Sequence, residues 1–271
     1  MNYKKIGFIG SGKMAGAIIK GLLKSSFTNP DSIEATQEAE VGLKEKSEFL
    51  GINVSTDNKK LVINSDVVFI AVKPNQVIGV LDEIKQFVTP DKLIVSVAAG
   101  ISTSKIENNL IQKSRVIRVM PNTPALVGEG MSGIIGGRYA GKDDIEFVRT
   151  LLSTVGECVV IDNESQMDIV TAISGSGPAF FYKVINDIAR AGEKMGMPYE
   201  KALLLSIQTA IGSAKMAKQR EVSMETLISN VATKGGCTRV GIDVMSEIHT
   251  EEIFYDVIKS TAEKASELGK G

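Results

Sequence analysis

A chain that opens with an apolar strand, a glycine turn and a helix has few folds available to it. Lys5-Ile6-Gly7-Phe8-Ile9-Gly10-Ser11-Gly12-Lys13-Met14-Ala15-Gly16 has that form, and Ala17-Ile18-Ile19 continues the helical stripe. Glycine at positions 10 and 12 lets bare backbone turn sharply and lie against a ligand, while the small Ala15 lets the helix sit close to the strand. The arrangement aims backbone N–H groups and the positive end of a helix at one point, as a dinucleotide's pyrophosphate requires. A short glycine pattern is weak evidence alone. Here its place between an apolar strand and a helix carries the reading.

Up to about residue 160, short β-rich runs alternate with helical segments. The runs are Ile6–Ile9, Ile33–Thr36, Val67–Val72, Leu93–Val97, Val116–Met120, Met131–Ile135 and Cys158–Ile161. Such alternation predicts a parallel sheet covered by helices on both faces, and the unbroken apolar run from Val67 to Val72 reads as a strand buried on both sides. The carboxyl ends of these strands should form the ligand edge. There the sequence places Thr36-Gln37, Ala71-Val72-Lys73-Pro74, Ala98-Ala99-Gly100 and Met120-Pro121-Asn122-Thr123-Pro124. Thr36 and Gln37, where an adenosine ribose would lie, are neutral donors that would tolerate a 2′-phosphate, which leans toward NADPH. Glu38 follows at once and no arginine is near, so NADH stays open. Lys73 reads as a solvated or phosphate-facing charge rather than a proton donor, and Asn122-Thr123, between two prolines, as a stiff loop that is either a plain turn or a wall of the nicotinamide pocket.

After about residue 163 the strand signal stops. Phe180, Phe181, Val184, Ile185, Ile188 and Ala189 recur at helical spacing, as do Leu203, Leu204, Ile207, Ala210, Ile211 and Ala214. The expected organisation is therefore a Rossmann-type doubly wound α/β domain over residues 1–163, followed by an all-α domain over 164–271. Just over 100 residues of helices with this much apolar surface often complete their core with a second chain, so an obligate homodimer is expected. An assembly beyond the dimer stays open. Near the end, Val231-Ala232-Thr233-Lys234-Gly235-Gly236-Cys237-Thr238 sets two glycines before a helical pattern. Exposed N–H groups at a helix start can hold a small carboxylate, with the Thr238 hydroxyl beside it; a helix cap is the plainer role for Thr238.

Other function classes find little support. Net charge is −1 with scattered charges, so nothing supplies the basic stripe that nucleic acid needs. No run approaches a membrane span, and Met1-Asn2-Tyr3-Lys4-Lys5 lead into a core strand rather than an apolar signal region, so the expected location is the cytoplasm. Cys158 and Cys237 are too sparse for a disulfide framework or a thiolate metal site, and the sole histidine, His249, reads as a surface residue.

These blocks together resemble the pyrroline-5-carboxylate reductase family. The resemblance rests on Gly7-Phe8-Ile9-Gly10-Ser11-Gly12-x-Met14-Ala15, Ala71-Val72-Lys73-Pro74, Ala98-Ala99-Gly100, Met120-Pro121-Asn122-Thr123-Pro124, Val170-Thr171-Ala172-x-Ser174-Gly175-Ser176-Gly177-Pro178-Ala179 and Gly235-Gly236-x-Thr238, in order over nearly the whole chain. It implies reduction of a cyclic imino acid's C=N bond by NAD(P)H to give L-proline. It also implies an interlocked helical dimer whose active site draws on both chains. Carried over by position, Gly10, Ser11, Gly12, Lys13, Met14, Thr36, Gln37, Asn58, Ala71, Val72, Lys73, Pro74, Ala98 and Asn122 would meet the cofactor, as would Asn230 of the partner chain. Gly235, Gly236 and Thr238 would hold the substrate carboxylate, the Thr238 hydroxyl would be the catalytic group facing the ring nitrogen, and Glu164 would match the family acid near that nitrogen. The family's usual Ser/Thr-Pro before the Gly-Gly is here Thr233-Lys234.

Two rivals share parts of the pattern. Lys183 and Asn186 superficially imitate the catalytic pair of β-hydroxyacid dehydrogenases, but Lys183 falls six residues after Gly177, within a helix start and core face. A nucleotide-binding regulatory dimer would share the fold but has no use for the Gly-Gly-x-Thr loop.

Overall fold

The computed structural model describes residues 4–111, 113–219 and 221–270; Met1–Tyr3 and their passage into the first strand lie outside them. The chain divides into two compact units, Met1–Ser176 with Thr261–Gly271, and Gly177–Ser260.

In the first unit, strands and helices alternate: β1 (Ile6–Ile9), α1 (Lys13–Lys24), β2 (Ile33–Thr36), α2 (Leu43–Leu50), β3 (Asn53–Ser55), α3 (Asn58–Asn64), β4 (Val67–Ile70), α4 (Val77–Ile84), β5 (Leu93–Ser96), α5 (Thr103–Asn108) and β6 (Arg115–Met120). Then come β7 (Gly130–Gly136), α6 (Lys142–Leu152), β8 (Gly156–Val160) and the short α7 (Met167–Val170). The described residues form one eight-stranded sheet in the order β3-β2-β1-β4-β5-β6-β7-β8. The chain leaves β1 toward β2 and β3, then crosses back to lay β4 on the other side of β1, in register Phe8↔Phe69. That reversal opens the crevice at the carboxyl ends of β1 and β4.

Successive side chains of a strand face opposite ways, so Phe8 joins a core with Ile18, Leu22, Val148 and Leu151 from α1 and α6. Ile9 joins another with Leu61, Leu81 and Ile106 from α3, α4 and α5. The sheet is thus wound on both faces, as expected. One expectation fails: β7 runs antiparallel to β6. Residues 121–129 between them are too few for the crossover that a parallel return needs, so the chain doubles back. β8, reached through α6, is parallel to β7 again.

Residues 164–176 pack with the sheet, Met167 and Ala172 being fully buried, so the compact units part later than residue 163. The second unit holds α8 (Gly177–Lys194), α9 (Tyr199–Gln219), α10 (Met224–Val231), α11 (Cys237–Glu247) and the start of α12 (Thr250–Lys270). α8 and α9 pair closely: a Cβ on Gly192 would stand 3.0 Å from the Ala202 methyl, the Ser206 hydroxyl donates to the Ile185 carbonyl at 2.9 Å and the Tyr199 hydroxyl to Asn186 Oδ1 at 2.9 Å. Yet Phe181, Ile188, Leu204, Leu205 and Ile211 are exposed. The expected helices form, but their apolar stripes find little cover within the unit.

Candidate active site

β1, β2 and β4 converge on Gly10. Its N–H donates to the Thr36 carbonyl at 3.1 Å, its φ is +98°, and a Cβ there would lie 2.7 Å from the Ala71 oxygen and 3.1 Å from Val72 Cγ1. Only glycine accommodates both the left-handed backbone and the approach. Gly12 then caps α1 from an extended conformation with no side-chain cap and no acid in the first turn. The leading N–H groups of Lys13 and Met14 therefore lack intrahelical acceptors. A Cβ on Gly12 would meet nothing within 4 Å, so space lies directly before the helix end. Bare donors, an unopposed dipole and room fit a dinucleotide's diphosphate.

Beside this cradle is a cleft of about 430 Å³ whose lining includes Gly10, Thr36, Gln37, Asn58, Val72 and Gln76. Thr36 is buried, and its hydroxyl donates to Asn58 Oδ1 at 2.6 Å. Asn58 opens α3, where Asp57 caps the helix through the Lys60 N–H, and its own Nδ2 donates to Glu83 at 2.8 Å. Gln37 donates to the carbonyls of Ala39 and Val41 at 2.7 and 3.0 Å. Glu83 and Gln76 were not signalled by the sequence, because each lies on a polar helix face or turn that only the topology brings to this edge.

Along the same edge, the Ala71 N–H donates to the Ile9 carbonyl at 2.8 Å, prolonging the pairing beyond β4. Lys73 is exposed, its backbone N–H donating to Gln76 Oε1 at 3.3 Å, and Pro74 begins a single helical turn. Ala98 is buried, with its N–H on the Ser96 hydroxyl at 3.3 Å. Asn122 is buried too. Its Nδ2 donates to the Ser174 carbonyl at 3.0 Å and its Oδ1 accepts the Met131 N–H at 2.9 Å, so the side chain ties the proline-bracketed loop to its neighbours.

Glu164 is also engaged. Its two oxygens accept the Thr103 N–H at 2.8 Å, the Thr103 hydroxyl at 2.7 Å and Arg118 Nη1 at 3.1 Å. The carboxylate braces the start of α5, the middle of β6 and the segment leaving β8. Arg118 was visible in the sequence as a charge inside the apolar run Val116-Ile117-Arg118-Val119; a buried guanidinium demands a partner.

In the second unit, Gly235 has φ +79°, and the Gly236 N–H closes a turn onto the Thr233 carbonyl at 3.0 Å. A Cβ on Gly236 would fall 2.9 Å from Thr233 Oγ1. Gly236, not Thr238, caps α11, and no side chain caps it. Thr238 is the helix's second residue, since the turn closes two residues earlier, which removes the plain cap role. Lys234 and Asn230 are exposed. Lys183 pairs with Asp187 at 2.6 Å, both largely exposed, and Asn186 faces Tyr199, so the imitated catalytic pair is not assembled. His249 is exposed at φ +53° in the turn before α12, and burial pushes the Cys158 thiol up to about 11. Among the described residues no helix is long and apolar enough to cross a membrane.

Sheet order, glycine cradle and crevice define a dinucleotide-binding unit of the Rossmann type, here joined to a helical unit. Residues 164–268 match the family described as pyrroline-5-carboxylate reductase dimerisation, and residues 5–100 match NADP oxidoreductase, coenzyme F420-dependent. The chain is 40% identical over 270 residues to a pyrroline-5-carboxylate reductase of Methanosarcina acetivorans, covering 100% of both. It is 36% identical over 270 residues to that of Pseudomonas aeruginosa, covering 100% of this chain and 98% of the relative. The solved reductase of Coxiella burnetii superposes with a TM-score of 0.94 at 34% identity, over 98% of this chain and 99% of the other. A Plasmodium falciparum pyrroline carboxylate reductase with NADP bound gives 0.84 at 29%, over 98% of each. The chain belongs to the pyrroline-5-carboxylate reductase family.

Proposed function

We infer that this chain reduces the C=N bond of 1-pyrroline-5-carboxylate with NAD(P)H to give L-proline, the last step of proline synthesis. The observation that carries the reading is the match to reductases of that name over the full chain, which takes in both the glycine cradle and the Gly-Gly-x-Thr loop.

We propose the following division of work. Gly10, Ser11, Gly12, Lys13 and Met14 hold the diphosphate, while Thr36, Gln37 and Asn58 flank the adenosine ribose. Ala71, Val72, Lys73, Pro74, Ala98 and the Asn122 loop border the nicotinamide side, and the partner chain adds Asn230. Backbone N–H groups at Gly235 and Gly236 hold the substrate carboxylate, with Thr238 turned toward the ring nitrogen. Glu164, carried over as the family acid, serves here as a brace. The bound nicotinamide supplies the hydride. A cyclic imine is protonated in useful fraction near neutrality, so the protein need only fix the iminium at attack distance, which is worth several kcal/mol without a histidine.

The same reading gives residues 164–271 the dimerisation and substrate-binding role and makes the protein a cytoplasmic homodimer, with higher assembly open. The uncovered apolar stripes of α8 and α9 support the dimer. Consumption of NAD(P)H with stoichiometric appearance of proline tests the reaction. Thr238→Ala should lower turnover about 10- to 1000-fold while leaving nucleotide affinity intact; unchanged turnover would strip Thr238 of its catalytic role.

A further inference from the structure

The cleft beside the glycine cradle has a pattern of charge and donor use that bears on which nucleotide it selects. On the reading that this cleft receives the adenosine ribose, we propose that Glu38 and Glu83 make it a site for NADH in preference to NADPH. A 2′-phosphate is a dianion that needs cations or free donors, whereas a 2′-hydroxyl is satisfied by a carboxylate acceptor.

The need for cations is not met, and of the neutral side-chain donors in the lining Thr36, Gln37, Asn58 and Gln76 are already engaged, which leaves Thr56. Among the described residues, the charged ones lining the cleft are Glu38 and Glu83, with no lysine or arginine. Lys59 and Lys73 stand nearby in sequence but outside the lining. The neutral donors that read as phosphate-tolerant are already committed to internal acceptors. The Thr36 hydroxyl donates to Asn58 at 2.6 Å, and Asn58 donates to Glu83 at 2.8 Å. Gln37 spends its amide on two backbone carbonyls, and Gln76 donates to Glu38 at 3.1 Å. The chain of bonds from Thr36 through the Asn58 amide ends on the Glu83 carboxylate. A phosphate entering the cleft must break these bonds while facing two like charges; a hydroxyl donates to either carboxylate and breaks none. Repulsion between a dianion and exposed carboxylates is screened, yet unmatched by any cation it still disfavours entry.

The test is calorimetric titration of the purified protein with NADH, NADPH, AMP and adenosine 2′,5′-bisphosphate, repeated on Glu83→Gln and Glu38→Arg. NADH should bind about tenfold or more tightly than NADPH, with AMP preferred over the bisphosphate in the same sense. Glu83→Gln keeps the acceptor for Asn58 and removes the charge, so it should narrow the ratio, and Glu38→Arg should narrow it further or reverse it. Equal or tighter binding of NADPH by the unaltered protein, or a ratio unmoved by both variants, overturns the proposal. Binding of neither dinucleotide overturns it together with the reading of the cleft. A preference for NADH without reduction of pyrroline-5-carboxylate leaves it standing and removes only the reductase assignment.

Discussion

Gly10 shows how much one position without a side chain can decide. At φ +98°, with the Ala71 oxygen 2.7 Å from where a Cβ would sit, Gly10→Ala combines backbone strain with a steric clash. It should cost about 1–3 kcal/mol, read as a lower midpoint of thermal unfolding, and should weaken nucleotide binding because the turn that aims the α1 N–H groups shifts. Cys158 gives a second test at this scale. Burial raises its thiol from 9.0 to about 11, so the protonated form is favoured in the folded state. The stability this contributes is full below pH 9 and lost as pH rises through about 11. Alkylation of Cys158 should therefore be slow near neutrality and accelerate only in that alkaline window, as peptide mass spectrometry after labelling would show. The glycines of the cradle were legible in the sequence because their order along strand, turn and helix has one economical explanation. The spent donors of Thr36 and Gln37 were not, since residue type shows what a side chain can offer and not what it has already given.

At the level of elements, seven strands fall on the seven apolar runs, six of them largely buried and β8 largely exposed at the sheet edge. β3 escaped notice: Asn53-Val54-Ser55 carries one apolar side chain, and its place at the sheet edge comes from pairing with β2. The reversal of β7 was written in loop length rather than in the strand itself. The parting of the units after Ser176 rather than after residue 163 also has a physical cause, because Glu164 fastens the segment that follows β8 to Thr103 and Arg118 in the first unit. Glu164→Gln removes the charge beside a guanidinium that is only 6% exposed. It should destabilise the fold by about 3 kcal/mol, measured by denaturant midpoint. A loss of turnover at unchanged stability would instead place Glu164 in contact with substrate.

For the whole molecule, the second unit leaves more apolar surface open than a free-standing domain keeps. Phe181 is 69% exposed and Leu204 68%, yet both lie on the stripes that the helical spacing marks for burial. Light scattering should find a dimer. Phe181→Glu and Leu204→Glu, harmless on a true surface, should dissociate or unfold it, and a native monomer would contradict the account. The reduction itself is tested by mixing the purified protein with pyrroline-5-carboxylate and either NADH or NADPH, then following the reduced-nicotinamide absorbance alongside proline. Rapid oxidation is expected, with one proline formed per nicotinamide consumed. No oxidation with either cofactor, while nucleotide binding is demonstrated, would contradict the reductase assignment.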